Sequence, residues 1–227
     1  AQVLDSTRAW LESHPDNMHV RSNYLNFIKE KGDYQQIQQA LESTLVWLEY
    51  HDDDVEVRRT YLNLVKEKGS TDQIAHAIEN MRTWLKSHDD NAEVIAAYLN
   101  LVKEKGDTQY VTQAIDSMQN WLETHDSDNR VRSNYLNLIT EKGSAEQIAH
   151  AIETSRIWLA IHPNDVEVRR TYLKLIKQKG DEEQVTDAID ATVAWLNKYD
   201  EGMEVRRTYL NLVKERGSAE QIAVAVE

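Results

Sequence analysis

Tryptophan recurs at a fixed interval of 37 residues along the whole chain. The positions are Trp10, Trp47, Trp84, Trp121, Trp158 and Trp195, and they account for every tryptophan in the sequence. A tyrosine and a glycine recur at the same interval, beginning with Tyr24 and Gly32. Repeats of this length are typical of solenoids, in which each unit buries its apolar face against its neighbours. The period therefore predicts one structural unit in six copies.

The first half of each unit has the pattern of an amphipathic helix, called helix A below. In the copy that begins at Val55, residues Val57, Tyr61 and Leu64 recur at the spacing of one helical face. Gly69 follows this segment, and we expect it to adopt the left-handed conformation that often closes a helix.

A second helix, helix B, is predicted directly after the glycine. Ser70 and Gln73 have the spacing of a capping box, in which each side chain bonds the backbone amide of the other residue. The equivalent pairs in other copies are Asp33 with Gln36, Ser144 with Gln147, Asp181 with Gln184, and Ser218 with Gln221. An apolar stripe of helical period then includes Ile74 and Trp84, and the polar loop after it contains an Asp or Asn suited to capping the next helix A. We interpret the tryptophans as part of this packed stripe rather than as stacking platforms for a ligand.

These features predict an all-α fold, a right-handed α-solenoid of stacked antiparallel helix pairs with six repeats. We expect a single solenoid domain over residues 1–227, with half of a helix B at 1–13 and repeats that begin near 18, 55, 92, 129, 166 and 203. The last helix B is expected to be cut short at 227. Since neither end has a polar cap, we expect a fragment of a longer array or an engineered chain, with end-to-end self-association through the uncapped terminal helices.

Composition excludes several classes of function. The formal net charge of -13 weighs against nucleic acid and anionic membrane surfaces, which attract basic proteins. No apolar run is long enough to span a membrane, and the first residues lack the pattern of a signal peptide. The absence of cysteine excludes disulfides and thiolate chemistry and fits a reducing compartment, so we expect a cytoplasmic location.

No pattern in the sequence indicates catalysis or a bound cofactor. Nucleophile elbows, phosphate-binding glycine loops and zinc-protease motifs are absent, so we do not expect an enzyme. A histidine recurs near the end of helix B at His14, His51, His88, His125 and His162. Neighbouring helices pack about 8–10 Å apart, whereas zinc-bound nitrogens lie about 2 Å from the ion. We therefore interpret these histidines as helix-end residues and expect no metal site.

The stretch NAEVIAAYLNLVKEKGDTQYVTQAIDSMQNWLETHDSD, which starts at Asn91, resembles a tetratricopeptide repeat, and the resemblance extends over all six copies. Tyr98 stands where the family has a large apolar residue, and Met118 where it has an aromatic or large one. Gly106 matches the family's turn glycine, and Ala114 matches a position that the family keeps small. The unit departs from the family's usual length of about 34 residues, and Leu99 and Trp121 stand where the family prefers small residues. The resemblance implies a helical superhelix that serves as a scaffold for binding other proteins.

In that family helix A lines a groove that binds peptides, and three rows of polar residues on helix A are the corresponding candidates here. The candidate peptide-binding residues are Asn26, Arg59, Asn63, Lys66, Asn100, Lys103, Asn137, Arg170, Lys174, Arg207 and Asn211. Arg and Asn donors in a groove are suited to holding a carboxylate or a peptide backbone. A solvated face made uniform by recent duplication would give the same rows, and the sequence leaves both interpretations open.

The leading hypothesis is thus a protein- or peptide-binding repeat scaffold, the recognition arm of a larger signalling protein. The alternative is a structural or engineered array with no ligand of its own, which the near-identical units favour. A third class, an RNA-binding repeat protein built from a similar helix pair, is disfavoured by the acidic charge.

Overall fold

The computed structural model describes residues 2–88, 90–125, 128–199 and 202–226, and regular structure in this part is entirely α-helical. The chain positions Ala1 and Glu227, where the terminal helices were expected to be interrupted, lie outside the described residues. The helices are α1 (Gln2–Ser13), α2 (Met18–Lys31), α3 (Tyr34–Tyr50), α4 (Val55–Lys68), α5 (Thr71–Trp84), α6 (Ala92–Lys105), α7 (Thr108–Thr124), α8 (Asn129–Lys142), α9 (Ala145–Ile161), α10 (Val166–Lys179), α11 (Glu182–Leu196), α12 (Met203–Arg216) and α13 (Ala219–Val226).

Even-numbered helices are A helices and odd-numbered helices are B helices. Each A helix has 14 residues and is joined to the following B helix by a two-residue link such as Gly69–Ser70. The two helices of a pair run antiparallel. In the second complete pair, the indole N–H of Trp84, at the end of α5, donates to the carbonyl of Asp52, which lies just before α4 (2.9 Å).

The helices cluster into two compact units, Ala1–Val111 and Thr112–Glu227. In the first unit α4 packs between α2 and α6, and α3 and α5 lie against these A helices. In the second unit α10 packs between α8 and α12, with α9 and α11 against them. Each unit is therefore an α-solenoid of stacked helix hairpins. A single domain of six repeats and a right-handed superhelix remain predictions.

The core of each unit lies between its A and B helices. Apolar side chains of the A helices that face neighbouring repeats, such as Leu64, Val65 and Leu175, are completely buried. Internal tryptophans are only 4–8% exposed, which confirms that they pack in the core. Trp10 is the exception at 39% exposed.

Helix boundaries follow the capping residues that the sequence predicts. At the start of α5, the Gln73 amide donates to the Ser70 hydroxyl and the Ser70 amide donates to the Gln73 side chain. The same reciprocal pair is present at the other four predicted boxes. The polar loops likewise provide the side chains that cap the next A helix, namely Asn17, Asp54, Asn91, Asp128 and Asp165.

The conformation expected for the repeated glycine was wrong. Gly69 has φ -70° and ψ 148°, which is extended backbone, and no described residue has positive φ. The reason for glycine is steric. The Gly69 amide donates to the Val65 carbonyl at 2.8 Å, and a Cβ at Gly69 would lie only 2.6 Å from that oxygen. The chain thus leaves helix A without a left-handed residue, through a turn too tight for a side chain.

Candidate peptide-binding face

The candidate peptide-binding residues lie on the A helices, and we call the outward side of these helices the A face of each unit. In the first unit the A face is formed by Asn26, Arg59, Asn63, Lys66, Asn100 and Lys103. In the second unit it is formed by Asn137, Arg170, Lys174, Arg207 and Asn211. The assignment of these residues to a binding site remains a prediction.

The A helices and the B helices of each unit differ in how closely they pack. Successive A helices pack closely against one another, whereas successive B helices make fewer backbone approaches. B helices reach each other through long side chains, as where Gln73 on α5 donates to Gln38 on α3 (2.7 Å). The A helices are thus the more closely packed layer of each unit.

The asparagine row has unused hydrogen-bonding capacity. Asn63, Asn100 and Asn137 are half-buried, and Asn26 and Asn211 are exposed. Within the described residues, none of these five side-chain amides makes a hydrogen bond. Each amide offers two donors and one carbonyl acceptor. A half-buried amide without a partner can gain hydrogen bonds from a ligand, because its partial desolvation is not compensated within the protein.

Cations on the A face of the first unit are held by acids of the neighbouring repeat. Arg59 forms an ion pair with Glu93 at 3.4 Å, and Lys66 forms one with Glu104 at 3.2 Å. Lys103 is engaged in an interaction of its own. The positive charges on the A face of this unit are therefore largely neutralised by ion pairs. Its asparagine side chains, in contrast, make no hydrogen bond within the described residues.

The second unit differs in its charge. Arg170 pairs with Glu167 on its own helix at 2.6 Å. Lys174 and Arg207 form no ion pair within the described residues, and Lys174 stands where the other repeats have asparagine. The A face of this unit is therefore the more positive of the two.

A buried stack of arginine, tryptophan and histidine, which recurs in several repeats, was not predicted from the sequence. The guanidinium carbon of Arg58 lies 4.5 Å from the centre of the Trp84 ring. The imidazole of His88 stacks on the same indole at 4.2 Å with nearly parallel planes. Burial lowers the pKa of Arg58, and its guanidinium donates to the backbone carbonyl and the carboxylate of Asp52. The stack thus ties a helix A to the helix B and the loops around it.

The same stack recurs along the chain. The other arginine–tryptophan pairs are Arg21 with Trp47, Arg132 with Trp158 and Arg169 with Trp195. In every pair the arginine precedes the tryptophan by 26 residues, and Ile95 replaces it in one copy. This fixed spacing is the signal that would have revealed the contact. From the sequence alone, an arginine that recurs on a helix is most simply interpreted as a solvent-exposed charge. The structure is needed to show that a tryptophan ring packs against it.

The recurrent histidines are helix-end residues, as the sequence indicates. Nδ1 of His88 lies 3.1 Å from the carbonyl oxygen of Trp84, and Nε2 lies 3.2 Å from a carboxylate oxygen of Asp53 in the preceding loop. The equivalent contact to the tryptophan carbonyl is made by His51, His125 and His162. In the described part of the chain, no group of three or more acidic or histidine side chains is placed to hold a metal ion.

The repeated tyrosines lie under the A face and are neutral core residues. Burial raises the pKa of Tyr61 and Tyr98 to about 12, because the phenolate would lose its hydration. Burial also raises the pKa of Tyr135 and the pKa of Tyr172 to about 12. These groups therefore serve packing at neutral pH and are unsuited to proton transfer there.

Comparisons with known proteins give a likeness of fold. No family model and no curated protein matches the chain. Among solved structures, the chain is similar to a tetratricopeptide repeat protein from Parabacteroides merdae ATCC 43184. The identity is 16% and the TM-score 0.47, over 99% of this chain and 91% of the other. Over the described residues, the helices include none with the length and apolar character needed to cross a membrane.

Proposed function

We propose that the chain is a scaffold that binds a partner protein through an extended peptide segment laid across the A face. The observation that carries this proposal is the row of asparagine amides, half-buried in the middle of the array and without hydrogen-bond partners in the described residues. On this proposal the chain acts as the recognition arm of a larger protein and has no catalytic activity of its own.

The spacing of the row suits an extended backbone. Packed helices lie about 8–10 Å apart, and an extended chain advances about 3.3 Å per residue. Asparagines at the same place on successive A helices therefore meet about every third residue of a peptide that crosses the helices. Each amide can donate to a peptide carbonyl and accept from a peptide N–H. Such backbone contacts give affinity, whereas contacts to the peptide side chains give specificity for particular sequences.

The decisive test is peptide binding by the parent chain and by Asn63→Ala/Asn100→Ala. A random peptide library displayed on phage is selected on the parent, and the selected peptides are then titrated against both proteins. We expect the double variant to bind at least tenfold more weakly, with unchanged helicity. Asn120→Ala is the control, because Asn120 is an exposed asparagine on the B helix α7. Equal binding by the parent and the double variant would refute the role of the row.

The alternatives give different results in the same experiment. A structural array without a ligand predicts that no peptide is enriched above background. An RNA-binding protein would retain labelled single-stranded RNA and release it steeply as salt rises. Either result would replace the peptide-binding proposal.

We also propose that copies of the chain associate through their end faces. Phe27 on α2 is 43% exposed, although its counterparts in the other repeats, such as Leu64 and Leu175, are fully buried. Leu210 on α12 is 42% exposed, although its counterparts are at most 1% exposed. Large exposed apolar side chains such as these favour contact with another apolar face.

A further inference from the structure

An apolar cavity lies in the second unit, between the B helices α7 and α9. The two helices run side by side there, and the side-chain amide of Gln147 on α9 donates to Asp116 on α7 at 3.1 Å. The volume of the cavity is about 210 Å³, and most of its lining is apolar or aromatic: Leu122 on α7, Tyr135 on α8, and Ile157, Trp158 and Ile161 on α9. None of the candidate peptide-binding residues of the A face lines it, so the cavity is a separate feature of the unit.

One wall of the cavity is formed by two exposed isoleucines. Ile157 is 51% exposed and Ile161 is 65% exposed, and their spacing of four residues places them on the same face of α9. The repeats on either side have small or polar residues at these two positions, namely Asn120, Thr124, Ala194 and Lys198. Packing of the repeat therefore does not require isoleucine there. A ligand in the cavity would remove apolar surface of both side chains from water, which favours binding.

The cavity also has a polar group that the protein leaves unsatisfied. Tyr135 is only 3% exposed, and its hydroxyl is buried without a hydrogen-bond partner among the described residues. Because burial raises the pKa of Tyr135 to about 12, the phenol is neutral at physiological pH and can both donate and accept a hydrogen bond. A buried hydroxyl without a partner has lost its hydration without compensation. A polar atom of a ligand in the cavity would supply the missing partner.

The charged groups at the cavity balance one another. Glu123 provides one negative charge and Arg132 one positive charge, and the guanidinium of Arg132 lies 5.0 Å from the centre of the Trp158 ring. The rest of the lining is polar and is provided by Gln119, His150 and Thr154. A charged ligand would lose hydration in this apolar cavity without an excess of opposite charge to compensate it. The lining therefore favours a neutral ligand.

The equivalent cavity one repeat further along has a different chemistry. It lies between α9 and α11, has a volume of about 360 Å³, and contains Tyr172 at the position that corresponds to Tyr135. Three charged side chains, Arg156, Asp187 and Asp190, contribute to its lining. Charged groups retain water strongly, so this second cavity is less suited to an apolar ring. It provides an internal control for the first.

We propose that the cavity between α7 and α9 binds a small neutral phenol, a single aromatic ring that has one hydroxyl group. An apolar cavity of about 150 Å³ is large enough to hold benzene, so a cavity of about 210 Å³ has room for one substituted ring. The ring packs against Leu122, Ile157 and Trp158, and the ligand hydroxyl pairs with the hydroxyl of Tyr135. This site does not depend on peptide binding at the A face.

The test compares p-cresol with toluene, which has the same ring and methyl group but no hydroxyl. Each compound is titrated into the isotope-labelled chain, and the indole N–H signal of Trp158, assigned with Trp158→Phe, is followed by NMR. We expect p-cresol to bind with a dissociation constant in about the millimolar range, as suits so small a ligand. It should bind about fivefold more tightly than toluene, because the Tyr135 hydroxyl is already desolvated and gains a partner. Absence of a saturable shift with p-cresol would overturn the proposal.

Tyr135→Phe tests the part played by the hydroxyl. The variant removes an unsatisfied buried group, so its fold should be retained. We expect toluene to bind the variant as it binds the parent, and p-cresol to lose its advantage over toluene. Tyr172→Phe, at the equivalent position of the charged cavity, is the matched control and should leave p-cresol binding unchanged. If p-cresol binds Tyr135→Phe as tightly as the parent, the pairing with Tyr135 is refuted.

A second pair of variants tests the apolar wall. Ile157→Asn introduces the residue that the preceding repeat has at this exposed position, so folding should be retained while both compounds bind more weakly. Val46→Asn makes a similar change at the equivalent exposed position of the first unit and should leave binding unchanged. N-acetyl-tyrosinamide is the third ligand, because it presents the same phenol on a peptide backbone. Tighter binding of N-acetyl-tyrosinamide than of p-cresol would identify the occupant as a tyrosine side chain of a partner and overturn the assignment to a small molecule.

Discussion

The guanidinium of Arg58 lies 4.5 Å over the indole of Trp84, and both groups donate to the backbone carbonyl of Asp52. One carbonyl therefore joins the helix A that contains Arg58, the helix B that contains Trp84, and the loop before them. The pair recurs with the period of the chain, which makes it a repeated joint between the two helix layers. Its contribution to stability should be larger than that of an arginine in solvent, because a desolvated cation–π contact is stronger than an exposed one.

We expect Arg58→Ala to lower the stability of the chain by about 1–3 kcal/mol, since it removes the cation–π contact and the packing of the buried side-chain stem. Arg58→Ile should cost less than Arg58→Ala, because Ile95 occupies the equivalent position in another repeat. The measurement is urea unfolding at a concentration where the chain is monomeric. Arg59→Ala, at the exposed neighbouring position, should change the midpoint little. Equal effects at positions 58 and 59 would show that the stack contributes nothing.

The tryptophans should differ in their contribution according to burial. Trp84→Ala is expected to cost about 3–5 kcal/mol, as large truncations in a packed core do. Trp10→Ala should cost much less in the monomer, because Trp10 is 39% exposed and lacks an arginine over its ring. Urea midpoints of the two variants, compared with the parent, test this difference. Similar losses at both positions would contradict the view that the stack makes the internal rings critical.

The sequence was sufficient to predict features that depend on contacts between residues close together in the chain. The Ser70–Gln73 capping box and the Asp54 cap involve neighbours three residues apart, and both appear in the structure as predicted. The contact of Arg58 with Trp84 could not be read in this way, because it depends on how helix A packs against helix B. The ion pair of Lys66 with Glu104 depends in turn on the offset between successive A helices. Charges that looked available for a ligand are therefore partly used by the scaffold itself.

Gly69 provides a prediction that separates two explanations for the glycine that recurs at the end of each helix A. If the residue were left-handed, Asn would replace it better than Ala, because Asn tolerates that conformation. In the extended conformation seen here, any Cβ meets the Val65 carbonyl. Gly69→Ala and Gly69→Asn should therefore both destabilise, by about 1 kcal/mol or more and to a similar extent. Thermal unfolding of the two variants is the measurement, and a clear advantage for Asn would contradict the steric explanation.

The buried tyrosines predict loss of stability at alkaline pH. The pKa of Tyr98 is raised to about 12 in the folded chain, whereas the pKa of a tyrosine in an unfolded chain is about 10. The unfolded chain then binds fewer protons than the folded chain between these values, so stability falls as pH rises. The contribution of the neutral phenol is complete below about pH 10 and is lost as pH approaches 12.

Tyr98→Phe isolates this effect from the deprotonation of lysines in the same pH range. The parent should lose more stability than Tyr98→Phe between about pH 8 and about pH 11, because the variant has no phenol to ionise at that site. Tyr34→Phe is the matched control, since Tyr34 is 77% exposed and its phenol keeps its contact with solvent in the folded chain. Urea midpoints at the two pH values provide the comparison. If Tyr98→Phe and Tyr34→Phe lose stability to the same extent as the parent, the alkaline transition comes from other groups, and burial of the Tyr98 hydroxyl has no part in it.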